Sequence, residues 1–281
     1  RSPSAAHVIP VTGEPDLHNN TQRWADMTES EPTAEPHGDQ SQSPFEWDAS
    51  RYGSLPLPHV GWGQGVIHRL HLHPRDGGRV LDLGCGTGRD LAALLATHGG
   101  IHAIGIDASQ NMLDEAARVL APFADRAQLR RADLTRRRGE PGALELAEAV
   151  DAVMSVAALH WIPDHALVFD TVSDVLRPGG RFVVDAGGAG NIARFDAALD
   201  RVLGSPQDAD GRENPWTFAS AKETADLLGA AGFVDVHARL REAPVRLPEE
   251  AFPSYVATVM LGKHLSRLDA RQGEQLVRDV V

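Results

Sequence analysis

Hydrophobic and polar positions change their period several times along the chain, and each change marks an element. Arg79 to Leu83 is a short apolar run interrupted by Asp82, the pattern of a strand buried on both faces, and it leads straight into a glycine-rich turn. Beyond the turn Leu91, Leu94 and Leu95 recur at helical spacing. Ile101 to Ile106 predicts a second strand, Ser109 to Leu120 a helix, Gln128 to Ala132 a third strand and Asp151 to Val156 a fourth. Val168, Val172, Val175 and Leu176 keep a helical period up to Arg177-Pro178-Gly179-Gly180, where proline and glycine stop it, and Arg181 to Asp185 predicts a fifth strand. Asn191 to Leu203 and Lys222 to Ala231 predict helices, and Phe233 to Leu240 alternates like a strand. Glu249 to Val281 predicts helix, with Phe252, Tyr255, Val256, Val259, Met260 and Leu261 giving it a broad apolar face. Strands alternating with helices predict an α/β fold, a mostly parallel sheet with helices on both faces, followed by a C-terminal helical cap. No internal repeat is visible.

Composition divides the chain further. Residues 1–44 hold six prolines and seven acidic residues with few strong apolar ones, too few to offset the cost of ordering a core. They are expected to form a flexible extension, or an arm whose Asp16-to-Met27 stretch docks Trp24 or Leu17 over the active site or on a neighbouring subunit, the latter making a homo-oligomer. Residues 45–190 are expected to form the core with its lead-in, and residues 191–281 the cap and substrate region, including the sixth strand. With 281 residues and 42% hydrophobic content the chain can bury a core without metal or disulfide support. A net charge of −12 opposes nucleic acid and anionic lipid as partners and favours a small ligand. Cys85 is the only cysteine, which excludes an intrachain disulfide and suits a reducing compartment. No apolar run reaches the roughly 18 residues of a membrane span, and the N-terminus lacks the basic-then-apolar order of a secretory signal. The expected location is cytoplasmic.

The strongest chemical signal is Val80-Leu81-Asp82-Leu83-Gly84-Cys85-Gly86-Thr87-Gly88, a strand running through a glycine turn into a helix. Glycines allow close approach of the backbone to a ligand, and the helix N-terminus presents unpaired N–H groups. A nucleotide-like ligand follows. The dinucleotide fingerprint would place a third glycine at position 89, where Arg89 stands. An NAD(P)-linked oxidoreductase is therefore the weaker enzyme reading. A carboxylate at Asp107, 21 residues beyond Gly86, suits a ribose hydroxyl pair in any such fold, or alternatively a helix N-cap.

Asp82-x-Gly84-x-Gly86-x-Gly88, followed by Gly105-Ile106-Asp107-Ala108, Arg131-Ala132-Asp133-Leu134 and Leu176-Arg177-Pro178-Gly179-Gly180, resembles the class I S-adenosylmethionine (SAM)-dependent methyltransferases. The resemblance covers roughly residues 45 to 281 and implies a Rossmann-like fold with SAM as cofactor. It implies cofactor contacts from Asp82, Gly84, Cys85, Gly86, Thr87 and Gly88 in the turn, with Cys85 present as a small residue rather than a thiol nucleophile. It further implies Asp107 and Ala108 at the ribose, Met112 against adenine, Ala132, Asp133 and Leu134 around the adenine amine, and Ser155 beside the reacting end. Met112 as plain core and Asp133 as a surface ion-pair partner remain alternative readings. Ala157-Ala158-Leu159-His160-Trp161 and Pro215-Trp216-Thr217-Phe218 narrow the resemblance to the trans-aconitate methyltransferase-like group. Val156 departs from the asparagine common there, which keeps a non-catalytic SAM-binding subunit as an alternative. In family members a seventh strand follows the helical tail; none is obvious before Val281, so the sheet edge is expected to be incomplete.

Methyl transfer from a sulfonium is an in-line displacement, so alignment and exclusion of water are the main tasks and no metal is required. Tyr52, Trp62 and Trp161 offer aromatic faces to a cationic sulfur. His160 is the first candidate for a general base, and a structural histidine is the other reading, because a carboxylate acceptor needs no base. Tyr52, His59, Trp161, Trp216 and Tyr255 are candidate acceptor-binding residues. An apolar cap favours a hydrophobic small-molecule acceptor, such as a specialised metabolite methylated at carbon, oxygen or nitrogen, over a tricarboxylate. His68, His71 and His73 lack partners at metal-ligand spacing, and Arg130, Arg131, Arg136, Arg137 and Arg138 lack the interleaved aromatics of a nucleic-acid surface. No Gly-x-Ser-x-Gly elbow is present.

Overall fold

A computed structural model describes residues 4–12, 45–55, 60–72, 77–204, 215–244, 247–266 and 268–281. The strands are β1 (Ser4–Thr12), β2 (Gly78–Leu83), β3 (Ile101–Asp107), β4 (Ala127–Arg131), β5 (Val150–Val156), β6 (Leu176–Gly187), β7 (Phe233–Ala238) and β8 (Arg241–Glu242). The helices are α1 (Ala49–Ser54), α2 (Val60–Arg69), α3 (Arg89–Thr97), α4 (Gln110–Val119), α5 (His165–Val175), α6 (Ala193–Leu203), α7 (Ala221–Ala230), α8 (Phe252–Tyr255), α9 (Gly262–Leu265) and α10 (Ala270–Val280). The sheet runs β4-β3-β2-β5-β6-β1-β7 with parallel pairing, and β8 pairs β1. This is an α/β, Rossmann-like fold. Chain order reverses between β2 and β5, which opens a crevice beyond their carboxyl ends.

Alternation along the strands explains why helices cover both faces. On β2, Leu81 and Leu83 pack with Phe169 of α5 and Leu228 of α7, whereas Val80 packs with Val66 of α2 and Leu91 of α3. On β6, Phe182 and Val184 join the first group and Val183 the second. Phe169 and Phe182 are fully buried and lie 6.0 Å apart edge to face; burial of each contributes about 1.5–3 kcal/mol. A third cluster, containing Phe195, Leu199, Trp216, Val256, Leu261 and Leu276, joins α6 to the terminal helices and forms the cap.

Helix starts follow side-chain chemistry. Ser109 accepts from the Met112 N–H, Asp164 from that of Leu167 and Ser220 from that of Glu223, while Asp269 and Gln272 form a reciprocal capping box. Three features differ from the sequence pattern. β6 starts at Leu176, ahead of the predicted Arg181, because Val150 pairs with Leu176 across a register shift that absorbs the Pro-Gly-Gly turn. The predicted helix over 249–281 is broken by a wide turn at Val256–Met260, where the hydrogen-bond step lengthens, and again before α10. Within the span read as an extension, Ser4–Thr12 is a strand paired with β6 on one side and β7 on the other. It fills the position beside β6 where an incomplete edge was expected; residues 13–44, with Leu17 and Trp24, lie outside the described residues. No described helix is long and apolar enough to cross a membrane.

Candidate active site

The turn after β2 is pinned from both sides. The Cys85 N–H donates to the Ile106 carbonyl at 2.9 Å, and the Ser155 hydroxyl donates to the Leu83 carbonyl at 2.9 Å, so β3 and β5 together hold the loop in place. Its three glycines all have positive φ, +69°, +53° and +76° at Gly84, Gly86 and Gly88, but they serve different ends. A methyl group on Gly84 would stand 2.5 Å from the Ala158 methyl, and one on Gly88 3.0 Å from that of Ala116, so these two permit close packing. Nothing lies within 4 Å of such a group on Gly86, whose backbone therefore faces open space. Asp107, at the tip of β3, accepts from the Gly86 N–H through Oδ2 and from the Ser109 N–H through Oδ1, both at 2.9 Å. Ser109, not Asp107, caps α4.

One cavity of about 450 Å³ opens at these strand ends. Of the predicted cofactor residues, Asp82, Gly84, Cys85, Gly86 and Thr87 line it, as do Asp107, Ala108 and Met112. Ala132, Asp133 and Leu134 extend that wall. Met112 lines the cavity while only 4% exposed, so the core and cofactor readings meet in one residue. Gly88 and Ser155 stand behind the wall as supports. Across the cavity are Tyr52, Trp62, His160, Trp161, Trp216 and Tyr255; His59 lies outside the described residues. Val156, the departure from the asparagine common in the resembled group, lines the cavity. His68 and His71 sit 6.2 Å apart, ring to ring, away from this wall, and His73 is outside the described residues.

Charge is unevenly distributed in the cavity. Asp82 is 2% exposed and its side chain makes no hydrogen bond among the described residues. Burial raises its carboxyl well above the ordinary range, and Asp90 and Asp107 raise it further. Burial likewise raises Asp90, partly offset by Arg89, and raises Asp107 against the backbone donors at Ser109 and Gly86. Burial pushes the Tyr255 hydroxyl up to about 12 and Tyr52 higher still, so both remain neutral donors at physiological pH. The Cys85 thiol is also raised by burial, which agrees with a small wall residue. Lys263 places its ammonium 5.9 Å above the Trp161 ring on the opposite side.

His160 has a defined proton arrangement. Its Nδ1 accepts the Gly187 N–H at 3.1 Å, so a neutral ring carries its proton on Nε2. That nitrogen is then a donor. Phe218 stacks on the imidazole at 5.9 Å with a 21° tilt, and the Thr217 N–H donates to the His160 carbonyl, tying the loop after β5 to the cap.

Sequence reasoning missed the strap over this cavity. Glu46 accepts from the Ser109 hydroxyl at 2.8 Å, the Gln110 N–H at 3.2 Å and the Asn111 N–H at 3.3 Å, and Arg131 reaches it at 3.0 Å. Burial alone would raise the Glu46 carboxyl, but these donors outweigh it and hold the group below its ordinary range. Asn111 also donates to the Trp47 carbonyl. Trp47 is thereby set edge-on to Trp161 at 5.0 Å, with Phe45 and Tyr52 beside it. Neither Glu46 nor Trp47 belongs to a motif, so no sequence signal marked them.

The open face at Gly86, the strand-tip carboxylate of Asp107 and the buried acid at Asp82 fit an adenosyl group bearing a cationic amino-acid end. The comparisons agree. The profile of a methyltransferase domain matches residues 80–180. A trans-aconitate 2-methyltransferase of Rhizobium leguminosarum is 33% identical over 83% of this chain and 87% of its own. One of Deinococcus radiodurans is 31% identical over 68% and 72%. An uncharacterized methyltransferase of Schizosaccharomyces pombe is 34% identical over 60% of this chain, which spans 63% of that relative's length. Among solved structures, phosphoethanolamine N-methyltransferase 2 of Haemonchus contortus, in complex with SAM, matches with a TM-score of 0.51 at 18% identity over 79% of this chain and 47% of its own, a likeness of fold. With two relatives above 30% identity matched over most of their length, the chain belongs to the class I SAM-dependent methyltransferases.

Proposed function

We propose that this enzyme methylates an oxygen of a small, flat, largely apolar acceptor, a carboxylate being the favoured nucleophile. The observation that carries this reading is the continuity of one cavity, from Gly86 and Asp107 on one wall to Trp161, Trp216 and Phe218 on the other. The flat aromatic side suits an unsaturated body, and Lys263 supplies a counter-charge above Trp161. The carboxylate is also what the names of the Rhizobium and Deinococcus relatives support.

Asp107 would accept from the ribose hydroxyls, Met112, Ala132, Asp133 and Leu134 would enclose the adenine, and the backbone of the turn from Gly84 to Gly88 would lie along the amino-acid part. Bound there, SAM supplies a methyl group on a positively charged sulfur. Trp47 and Trp161 exclude water, which keeps the displacement from being quenched. His160 donates from Nε2 and orients the acceptor, in place of the general base expected from sequence, because its lone pair is committed to Gly187. A carboxylate needs no base, so this arrangement is sufficient for transfer.

The test is incubation of the protein with methyl-labelled SAM and a panel of small carboxylic acids, phenols and amines, followed by identification of the labelled product. A methyl ester supports the reading. Labelled C- or N-methyl products refute the oxygen assignment. Cofactor binding without any labelled product identifies a non-catalytic SAM-binding subunit.

A further inference from the structure

We propose that Asp90 is an additional cofactor-binding residue: its carboxylate, seated against Gly63 beside Asp82, holds the α-ammonium of the methionine part of SAM. The inference rests on the SAM-binding reading above and adds a ligand that none of the sequence motifs contains.

Three observations converge on it. Asp90 lies in the first turn of α3, where a carboxylate ordinarily faces water and the helix dipole. Here its side chain is 16% exposed and lines the cavity. Helix α2 is notched to receive it: a methyl group on Gly63 would stand 2.5 Å from the Asp90 carboxyl carbon, so a side chain at this position would push the carboxylate out of its seat. Finally, Asp82 shares the same wall, is 2% exposed and makes no hydrogen bond among the described residues. Arg89 pairs with Asp90 at 3.7 Å and partly offsets its burial, whereas Asp82 has no ion pair among the described residues.

Two buried carboxylates on one wall are costly unless a cation joins them. With adenine on the Asp133 side beyond β4, the 5′ substituent of a ribose held at Asp107 would extend the other way, toward β2, the strand that carries Asp82. That substituent bears two candidate cations, the sulfonium and the α-ammonium. The ammonium has three N–H donors and can satisfy two carboxylates at once, whereas a sulfonium has none. Burial raises both acids and Asp90 raises Asp82 further, which is the state a bound cation relieves.

Three ligands separate the possibilities by calorimetric titration. SAM carries both cations, S-adenosylhomocysteine only the ammonium, and 5′-methylthioadenosine neither. Asp90→Asn should weaken SAM and S-adenosylhomocysteine alike by about tenfold or more, while methylthioadenosine binds as tightly as to the wild type. Gly63→Ala, which displaces the carboxylate without removing it, should give the same split. Retained methylthioadenosine affinity shows that each variant is folded. Weakening of SAM alone would assign Asp90 to the sulfonium and overturn the proposal, as would equal weakening of all three ligands or unchanged affinities. A wild-type protein that binds none of the three fails the SAM-binding reading itself, which separates that failure from failure of the Asp90 assignment.

Discussion

The carboxylate of Asp107 accepts the backbone N–H of Gly86 at 2.9 Å, joining the tip of β3 to the turn after β2. A second bond, from the Ser109 N–H, fixes its other oxygen. The acid is therefore oriented before any ligand arrives, and orientation set in advance lowers the entropy cost of binding.

Asp107→Ala should remove that orientation together with the ribose contact. Loss of hydrogen bonds to a charged acceptor costs about 1.5–3 kcal/mol, so S-adenosylhomocysteine affinity should fall by roughly ten- to a hundredfold. Titration calorimetry measures it. Unchanged affinity would take Asp107 out of the site.

For His160 the size of the effect separates two roles. An orienting donor contributes about one hydrogen bond, so His160→Ala should lower kcat by about tenfold and leave S-adenosylhomocysteine binding intact. A general base would cost about a hundredfold or more, so a loss of that size in His160→Ala would restore the base.

Glu46 fastens the strap to the first turn of α4. Since it is 39% exposed, its bonds deserve the lower end of the usual range, about 1 kcal/mol in total. Glu46→Ala should speed release of S-adenosylhomocysteine about fivefold, read by stopped-flow tryptophan fluorescence because Trp47 sits against Trp161. An unchanged release rate would mean that the strap does not gate the cofactor.

Cofactor affinity should rise with pH. Asp82, Asp90 and Asp107 all have raised folded-state values, so the unliganded protein retains protons on them above the ordinary carboxylate range of about 4. The stability these groups contribute is complete below that range and declines as pH rises through their folded values. A cationic ligand favours the ionised acids and expels the protons, so the thermal shift produced by SAM should grow as pH increases above about 4. A shift that shrinks over the same interval would contradict the assignment of Asp82 and Asp90 to a cation.

Much of the core was legible because its signals are local. Leu81 and Leu83 report a buried strand without reference to the rest of the chain, and the Gly84-Gly86-Gly88 spacing sets the turn that follows. What sequence could not give is what each glycine avoids: Gly84 makes room for Ala158, Gly88 for Ala116, and only Gly86 faces open space. Glu46 and Trp47 were illegible for a related reason, since their partners Ser109 and Trp161 lie more than sixty positions away. The bond from the Gly187 N–H to His160 Nδ1 was likewise illegible, because a backbone donor carries no sequence signal. Ser4–Thr12 was read as tail because its neighbours are rich in proline and acid, yet its backbone completes the sheet between β6 and β7.

The most direct test of the central claim is calorimetric titration of the wild-type protein with S-adenosylhomocysteine and, separately, with NADPH. Saturable binding of the first in the nanomolar to micromolar range, about −12 to −8 kcal/mol, with no heat from the second is the predicted result. Binding of NADPH, with silence toward S-adenosylhomocysteine, would contradict it.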